Sequence, residues 1–164
     1  MKEIKLTQNQ TTLVDDKDYN KLNKYKWHAV YYPLAKNYCA KRNVWLKNGK
    51  QTTVQMHRII MDAPRNLQVD HINHNTLDNR KENLRLCTNG QNQMNRINHK
   101  DFSSKYKGVD WYKRCKKWRV AIRINNKPIH IGYFNSEIEA GKAYNKKARE
   151  LFGEFAKLNV IGER

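Results

Sequence analysis

The chain has 164 residues, enough for one ordinary domain or two small ones, and carries 33 Lys and Arg against 15 Asp and Glu, a formal charge of +18. Residues 1–100 hold 18 basic and 8 acidic side chains and residues 101–164 hold 15 and 7, so both parts are cationic and a long nucleic acid fits better than a small acidic ligand. Cys39, Cys87 and Cys115 are scattered without a C-x-x-C pair, and neither a signal-like start nor an apolar run of membrane length is present; a disulfide framework, a zinc ribbon and a membrane protein are therefore not expected, and a cytoplasmic protein is.

Residues 1–56 read as a β-rich region of short strands with one short helix. After Leu13-Val14, the run Asp-Asp-Lys-Asp-Tyr offers an aspartate to cap a turn or two of helix through Leu22. Two alternating runs then meet across Lys47-Asn48-Gly49-Lys50, with Tyr38, Ala40, Val44 and Leu46 sharing one parity and Thr52, Val54 and Met56 sharing the other run's. Asn-Gly between alternating runs predicts a hairpin, because both turn residues tolerate positive φ.

From Val69 to about Asn98 the pattern predicts strand, loop, strand, helix. Leu84 and Leu86 alternate with Arg85 and Cys87 in the second strand, and Thr88 followed three residues later by Gln91 predicts a helix start. Asn92, Asn95 and Arg96 lie three and four apart on that helix and share a face. Metal-assisted phosphodiester hydrolysis needs hard oxygen ligands, a base for the attacking water and a group to orient the base. Asp70, His71, Asn83 and Asn92 are side chains of those types. Asp70 and His71 are adjacent, so a regular strand aims them at opposite faces; both serve one site only if the strand ends, bends or bulges there.

Polar residues around 99–105 read as a linker. From Tyr106 the chain reads as three strands and a helix. Trp118, Val120, Ile122 and Ile124 alternate with Arg119, Ala121, Arg123 and Asn125, and after a tight turn Ile129, Ile131 and Tyr133 alternate with His130 and Gly132. The last helix has Ser136 as N-cap, Glu139 three later and Gly153 past its end, with Ala140, Tyr144, Ala148, Leu151 and Phe152 as the apolar stripe. Burying that stripe on the Trp118/Val120/Ile122 face leaves Arg119, Arg123 and His130 on an outer face suited to DNA.

Two family resemblances rest on these residues. Residues 57–98, with Met-His-Arg-Ile-Ile beginning at Met56, Val-Asp-His-Ile-Asn at Val69, Asp-Asn-Arg-Lys-Glu-Asn-Leu-Arg at Asp78 and Asn-Gln-Met-Asn-Arg at Asn92, resemble HNH endonucleases of the phage and intron homing type. Residues 103–159 resemble the DNA-binding domain of plant Apetala-type ethylene-response transcription factors, through Ser-Lys-Tyr-Lys-Gly-Val, Lys-Lys-Trp-Arg-Val-Ala-Ile-Arg, Ile-Gly-Tyr-Phe and the closing Leu-Asn. The expected fold is α+β: a nuclease domain over 1–98 whose ββα-metal motif spans about 57–98, then over 106–164 a separate three-stranded antiparallel sheet packed on one helix.

The resemblance implies that Asp70 and Asn92 hold one Mg²⁺ or Mn²⁺, that His71 activates water, and that Asn83 orients His71 through a hydrogen bond. Asn92, where many HNH enzymes have histidine, implies an oxygen-rich site with no structural zinc. The implied DNA-facing residues of the second domain are Tyr112, Arg114, Arg119, Arg123 and His130, with Asp110 and Ala121 beside them. The plant domains carry arginines at the positions of Asp110 and Tyr112 and tryptophan at that of His130, so their base preference does not transfer. Arg80 and Arg96 are candidate phosphate clamps.

The implied partner is double-stranded DNA in a bacterial host cell, cut one strand per active site; monomer and homodimer stay open. His57 reads as structural, His74 as a residue that either touches the site or sits in a polar loop, and His28 and His99 as surface or packing residues. A DNA-binding regulator with a silent nuclease fold and a structured-RNA binder are the rival functions.

Overall fold

In the computed structural model, which describes residues 1–95, 103–124 and 127–162, the polypeptide forms several small antiparallel sheets and a few helices, the mixed α+β composition expected. It divides into two units, Met1–Asn89 and Gly90–Arg164, each with its own core.

In the first unit, β1 (Lys2–Lys5) pairs with β2 (Thr11–Val14). Helix α1 (Asp16–Leu22) follows, with Asp15 at the N-cap position. The expected aspartate cap is absent there: Asp15 instead accepts from the backbone N–H of Lys81 at 2.9 Å, fastening a distant loop to the helix start. Strands β3 (His28–Tyr32), β4 (Asn37–Trp45) and β5 (Gln51–Gln55) form a meander, and β4 and β5 meet at the expected hairpin, where Gly49 takes φ 73°.

Helix α2 (Met56–Ile60) then buries Met56 and Ile60 against Ile4, Val14, Leu22, Trp27 and Ala40. Removing these side chains from water is the main force holding the unit together, at roughly 1.5–3 kcal/mol for each large one. Arg58 of α2 donates to the carbonyls of Ala63, Pro64 and Leu67, which fixes the chain as it enters the next strand.

That strand, β6 (Gln68–His71), pairs with β7 (Leu84–Cys87), and a 3₁₀ turn (Lys81–Asn83) precedes β7. Leu84 and Cys87 are buried, and Leu86 is 36% exposed.

Helix α3 (Asn89–Asn95) starts one residue after Thr88, as expected. Within the second unit its Met94 packs against the core, and Lys107 Nζ donates to the Met94 carbonyl at 2.7 Å. Of the expected linker, residues 99–102 lie outside the described residues.

The second unit is otherwise the expected sheet-and-helix layer. Strands β8 (Val109–Tyr112), β9 (Lys117–Ile124) and β10 (Lys127–Phe134) order as β10-β9-β8, and α4 (Glu137–Phe152) lies on the sheet. Ser136 caps α4 by accepting from Ile138 N at 3.2 Å, and Ala140, Tyr144, Ala148 and Phe152 bury themselves on Val109, Val120 and Ile122. Gly108 is forced: at φ 74° a Cβ would sit 2.3 Å from the Tyr144 ring and 2.7 Å from the Ala121 carbonyl. Asn159 exchanges two bonds with Asn145 and two with the backbone of Lys107, tying the closing Leu-Asn to the start of the sheet.

The parity of β10 departs from the simple alternation of its sequence. The register shifts between His130 and Gly132: His130 pairs with Ala121, whereas Gly132 pairs with Val120 and Tyr133 with Arg119. The extra residue inverts the parity of the rest of the strand, so Tyr133 faces outward with His130 instead of sharing the inner face of Ile131.

Candidate active site

The β6–β7 hairpin carries Asp70 and His71 on its first strand, and its long loop is pinned to the other end of the chain. Leu13 N donates to Leu77 O and Asn79 N to Leu13 O, both at 2.9 Å, so residues 77–79 run beside β2 as a short parallel bridge. Asn79 is thereby sunk into the interior, 1% exposed.

Its amide has a fixed orientation. Thr12 Oγ1 donates to Leu77 O at 2.7 Å, so it accepts from Asn79 Nδ2, also at 2.7 Å. Asn79 Oδ1 then faces His71 Nε2 at 3.3 Å. An amide oxygen only accepts, so Nε2 carries the ring proton and Nδ1 is the basic nitrogen of this tautomer.

Asn83, expected to orient His71, makes its side-chain bonds elsewhere in the loop. His71 Nε2 bonds Asn79, which lies in the run that begins at Asp78 but to which the sequence reading assigned no role. Asn83 is buried nearby in the loop: its Oδ1 accepts from Asn73 N at 2.9 Å, its Nδ2 donates to Asp78 O at 2.8 Å, and its carbonyl accepts from Ile72 N. It holds the 72–83 loop closed. The only sequence signal for Asn79 was its place beside Asp78 in the Asp-Asn-Arg run.

His71 is 6% exposed, and burial holds its ring below the usual 6.5, while the Asn79 bond and the charges of Asp70 and Asp78 pull it back up. His57 of α2 packs edge-on against it, ring centroids 5.2 Å apart, and bonds Gln55 Oε1 at 3.1 Å. Burial, then the neighbouring His71, Arg58 and Lys41, pull His57 down to about 3, so it stays neutral beside the candidate base.

Asp70 stands directly opposite Arg85 in the β6–β7 register, and Arg85 Nε and Nη2 both donate to its Oδ2, at 2.9 and 2.8 Å. β6 ends at His71, which stands opposite Leu84. His74 follows with φ 65° and donates its N–H to His71 O.

Arg80, expected to clamp phosphate, is engaged in the loop. Its Nε and Nη2 bond the two oxygens of buried Asp78 at 2.8 Å, and its Nη1 meets Glu82 at 2.5 Å. The bidentate bond holds the Asp78 carboxyl below the usual carboxylate range. Asn92 and Asn95 lie on α3, with Asn95 buried. Arg96 lies outside the described residues.

On the outer face of the second unit, Arg119 bonds Asp110 through Nε at 3.2 Å and Nη2 at 2.8 Å, and lies over the Tyr112 ring, 5.2 Å from its centroid. Tyr133 stacks between Tyr112, at 5.5 Å, and His130, at 4.7 Å. Arg114, in the β8–β9 turn, and Arg123 are exposed. Tyr133 was missed as a surface residue; Gly132 inside a strand is the signal of the bulge that turns it out.

The HNH endonuclease family profile matches residues 55–94, the segment that carries Asp70, His71, Asn83 and Asn92. An uncharacterized HNH endonuclease of Acanthamoeba polyphaga mimivirus is 34% identical over 148 residues, covering 85% of this chain and 70% of that one. The chain belongs to the HNH endonuclease family. A second relative of this HNH endonuclease, Protein 3.8 of Escherichia phage T7, is 31% identical over 95 residues, covering 58% of this chain and 78% of the phage protein. An AP2-like ethylene-responsive transcription factor of Arabidopsis thaliana is 36% identical over 62 residues, 37% of this chain but 13% of the plant protein. No solved structure matches the chain significantly. No helix among the described residues of the endonuclease is long and apolar enough to cross a membrane.

Proposed function

We propose that this endonuclease is a metal-dependent, homing-type enzyme that hydrolyses one strand of double-stranded DNA per active site. His71 is the base: Nδ1 takes a proton from the attacking water while the Nε2–H bond to Asn79 keeps the ring in place. The charges of Asp70 and Asp78 favour the imidazolium that results. Asn83 supports this base through the loop it closes.

β6, β7 and α3 are the elements of the ββα-metal motif in this reading, in which Asp70 and Asn92 would hold one Mg²⁺ or Mn²⁺. The donor chemistry fits: a carboxylate and a carboxamide oxygen are hard ligands, as such ions require. The Asp70 carboxylate already accommodates a positive charge, the Arg85 guanidinium. When bound, the cation polarises the scissile phosphate and stabilises charge on the leaving 3′ oxygen.

The outer face of the second unit is the duplex-docking surface, with residues 106–164 as an Apetala-like DNA-binding domain and residues 1–98 as the nuclease domain. Arg114, Arg119 and Arg123 supply charge there, while Tyr112, Tyr133 and His130 supply an aromatic ridge. The partial likeness to the plant transcription factor and the net charge of +18 support this assignment.

The observation that carries the proposal is a buried histidine whose tautomer is fixed by Asn79, beside Asp70, inside a matched HNH segment. Incubation with supercoiled plasmid bearing the gene's own flanking sequence tests it. Conversion to the nicked circle with Mg²⁺, and none with EDTA, is expected; retention of the supercoiled form with Mg²⁺ leaves a binding-only regulator ahead.

A further inference from the structure

The Asp70–Arg85 pair is more than a cross-strand contact. Their side chains are 8% and 13% exposed, so both charges are largely withdrawn from water. Arg85 places two donors on one oxygen, Oδ2, and the β6–β7 register sets the two residues face to face. The carboxylate assigned above to the catalytic cation is therefore neutralised, within the protein, by a cation of its own.

Such a pair has two consequences for an arriving divalent ion. The ion would meet a carboxylate whose charge is already compensated, and would share it with a guanidinium whose Nη2 lies 2.8 Å from Oδ2. Repulsion between a doubly charged ion and a guanidinium at that range is strong wherever water is largely excluded. A pair that served only to join β6 to β7 would instead orient Asp70, and its loss would loosen the ion.

We propose that Arg85 is the resident counter-ion of Asp70, competing with the divalent cation for that carboxylate and keeping the cation weakly bound in the resting enzyme. This inference rests on the assignment of Asp70 as a cation ligand made above. It assigns Arg85 a function in the reaction's metal requirement without placing it among the cation's ligands.

Binding of Mn²⁺ alone, followed by electron paramagnetic resonance on the full chain without DNA, tests it in the parent, Arg85→Met, Arg85→Lys and Asp70→Asn proteins. Arg85→Met, which keeps the length of the side chain and removes its charge, is expected to bind Mn²⁺ at least about tenfold more tightly than the parent. Arg85→Lys retains the charge but loses the paired donors, and is expected to bind a few-fold more tightly; it also serves should the methionine variant not fold. Equal or weaker binding by the folded Arg85 variants overturns the proposal while leaving the cation site intact. Unchanged Mn²⁺ binding in Asp70→Asn instead overturns the cation assignment on which the proposal stands.

Discussion

Asn79 Oδ1 lies 3.3 Å from His71 Nε2, and the same amide donates from Nδ2 to Thr12 Oγ1 at 2.7 Å, so a residue near the start of the chain fixes the tautomer of the candidate base. The relay runs from the Leu77 carbonyl through Thr12 and Asn79 to His71, and each partner is set by the one before it. Thr12→Val removes the relay's anchor and lets the amide turn over. The ¹⁵N spectrum of His71 is expected to show Nε2–H in the parent and a tautomer mixture in Thr12→Val, with a fall in kcat larger than any change in KM. A single unchanged tautomer in the variant contradicts the relay.

Truncating Asn79 to alanine removes the bond it makes to the buried His71 ring and the bond that the Thr12 hydroxyl accepts, while Thr12 keeps its bond to Leu77 O. A loss of about 1–3 kcal/mol in folding stability is expected from urea unfolding. Asn83→Ala is expected to cost a similar amount, because it opens the Asn73 and Asp78 contacts that hold the loop. Parental stability in both variants would contradict the reading of the loop as a braced support.

His57 gives the fold a pH dependence. Its ring is held at about 3, against 6.5 for the ordinary group, so the folded chain resists a proton that the unfolded chain accepts. Its contribution is complete above pH 6.5 and is lost as pH falls from there toward 3, at no more than about 1.4 kcal/mol per pH unit. Urea unfolding at pH 7 and pH 5 is expected to show a larger loss in the parent than in His57→Gln. Equal losses in the two proteins would mean that the ring is not the buried titrating group.

On the second unit, charge and stacking separate by salt dependence. Arg119→Ala and Arg123→Ala are expected each to lower the slope of log affinity against log salt on duplex DNA by about 1. Tyr133→Ala is expected to weaken binding with the slope unchanged, since an aromatic ring releases no counterions. Unaltered affinity in all three variants would remove this face from the interface.

Gly108→Ala tests the packing of the second unit. A methyl there enters the Tyr144 ring and the Ala121 carbonyl at a positive φ, so a destabilisation of about 2–3 kcal/mol is expected in thermal unfolding. A wild-type Tm would contradict the close approach of α4 to that turn.

How much was legible in the sequence depends on the range of each contact. The 47–50 hairpin, Ser136 and Gly153 around α4, and the inner face of β9 depend on neighbours a few residues away, and all appear in the fold. The partner of His71 does not: Asn79 rather than Asn83 reaches it because the loop is pinned to Leu13, a contact from the far end of the chain. Tyr133 escaped because one bulge inverts an alternation that would otherwise run straight on. The bond between Arg80 and buried Asp78 was not legible either, because the burial of Asp78 is a tertiary property.

The most direct measurement is the rate of plasmid nicking by His71→Ala beside the parent, with saturating Mg²⁺ and with imidazole added back. A fall of about 10²–10⁴-fold, partly restored by imidazole, is the expected result for the loss of a general base. Nicking by His71→Ala at the parental rate would contradict the account.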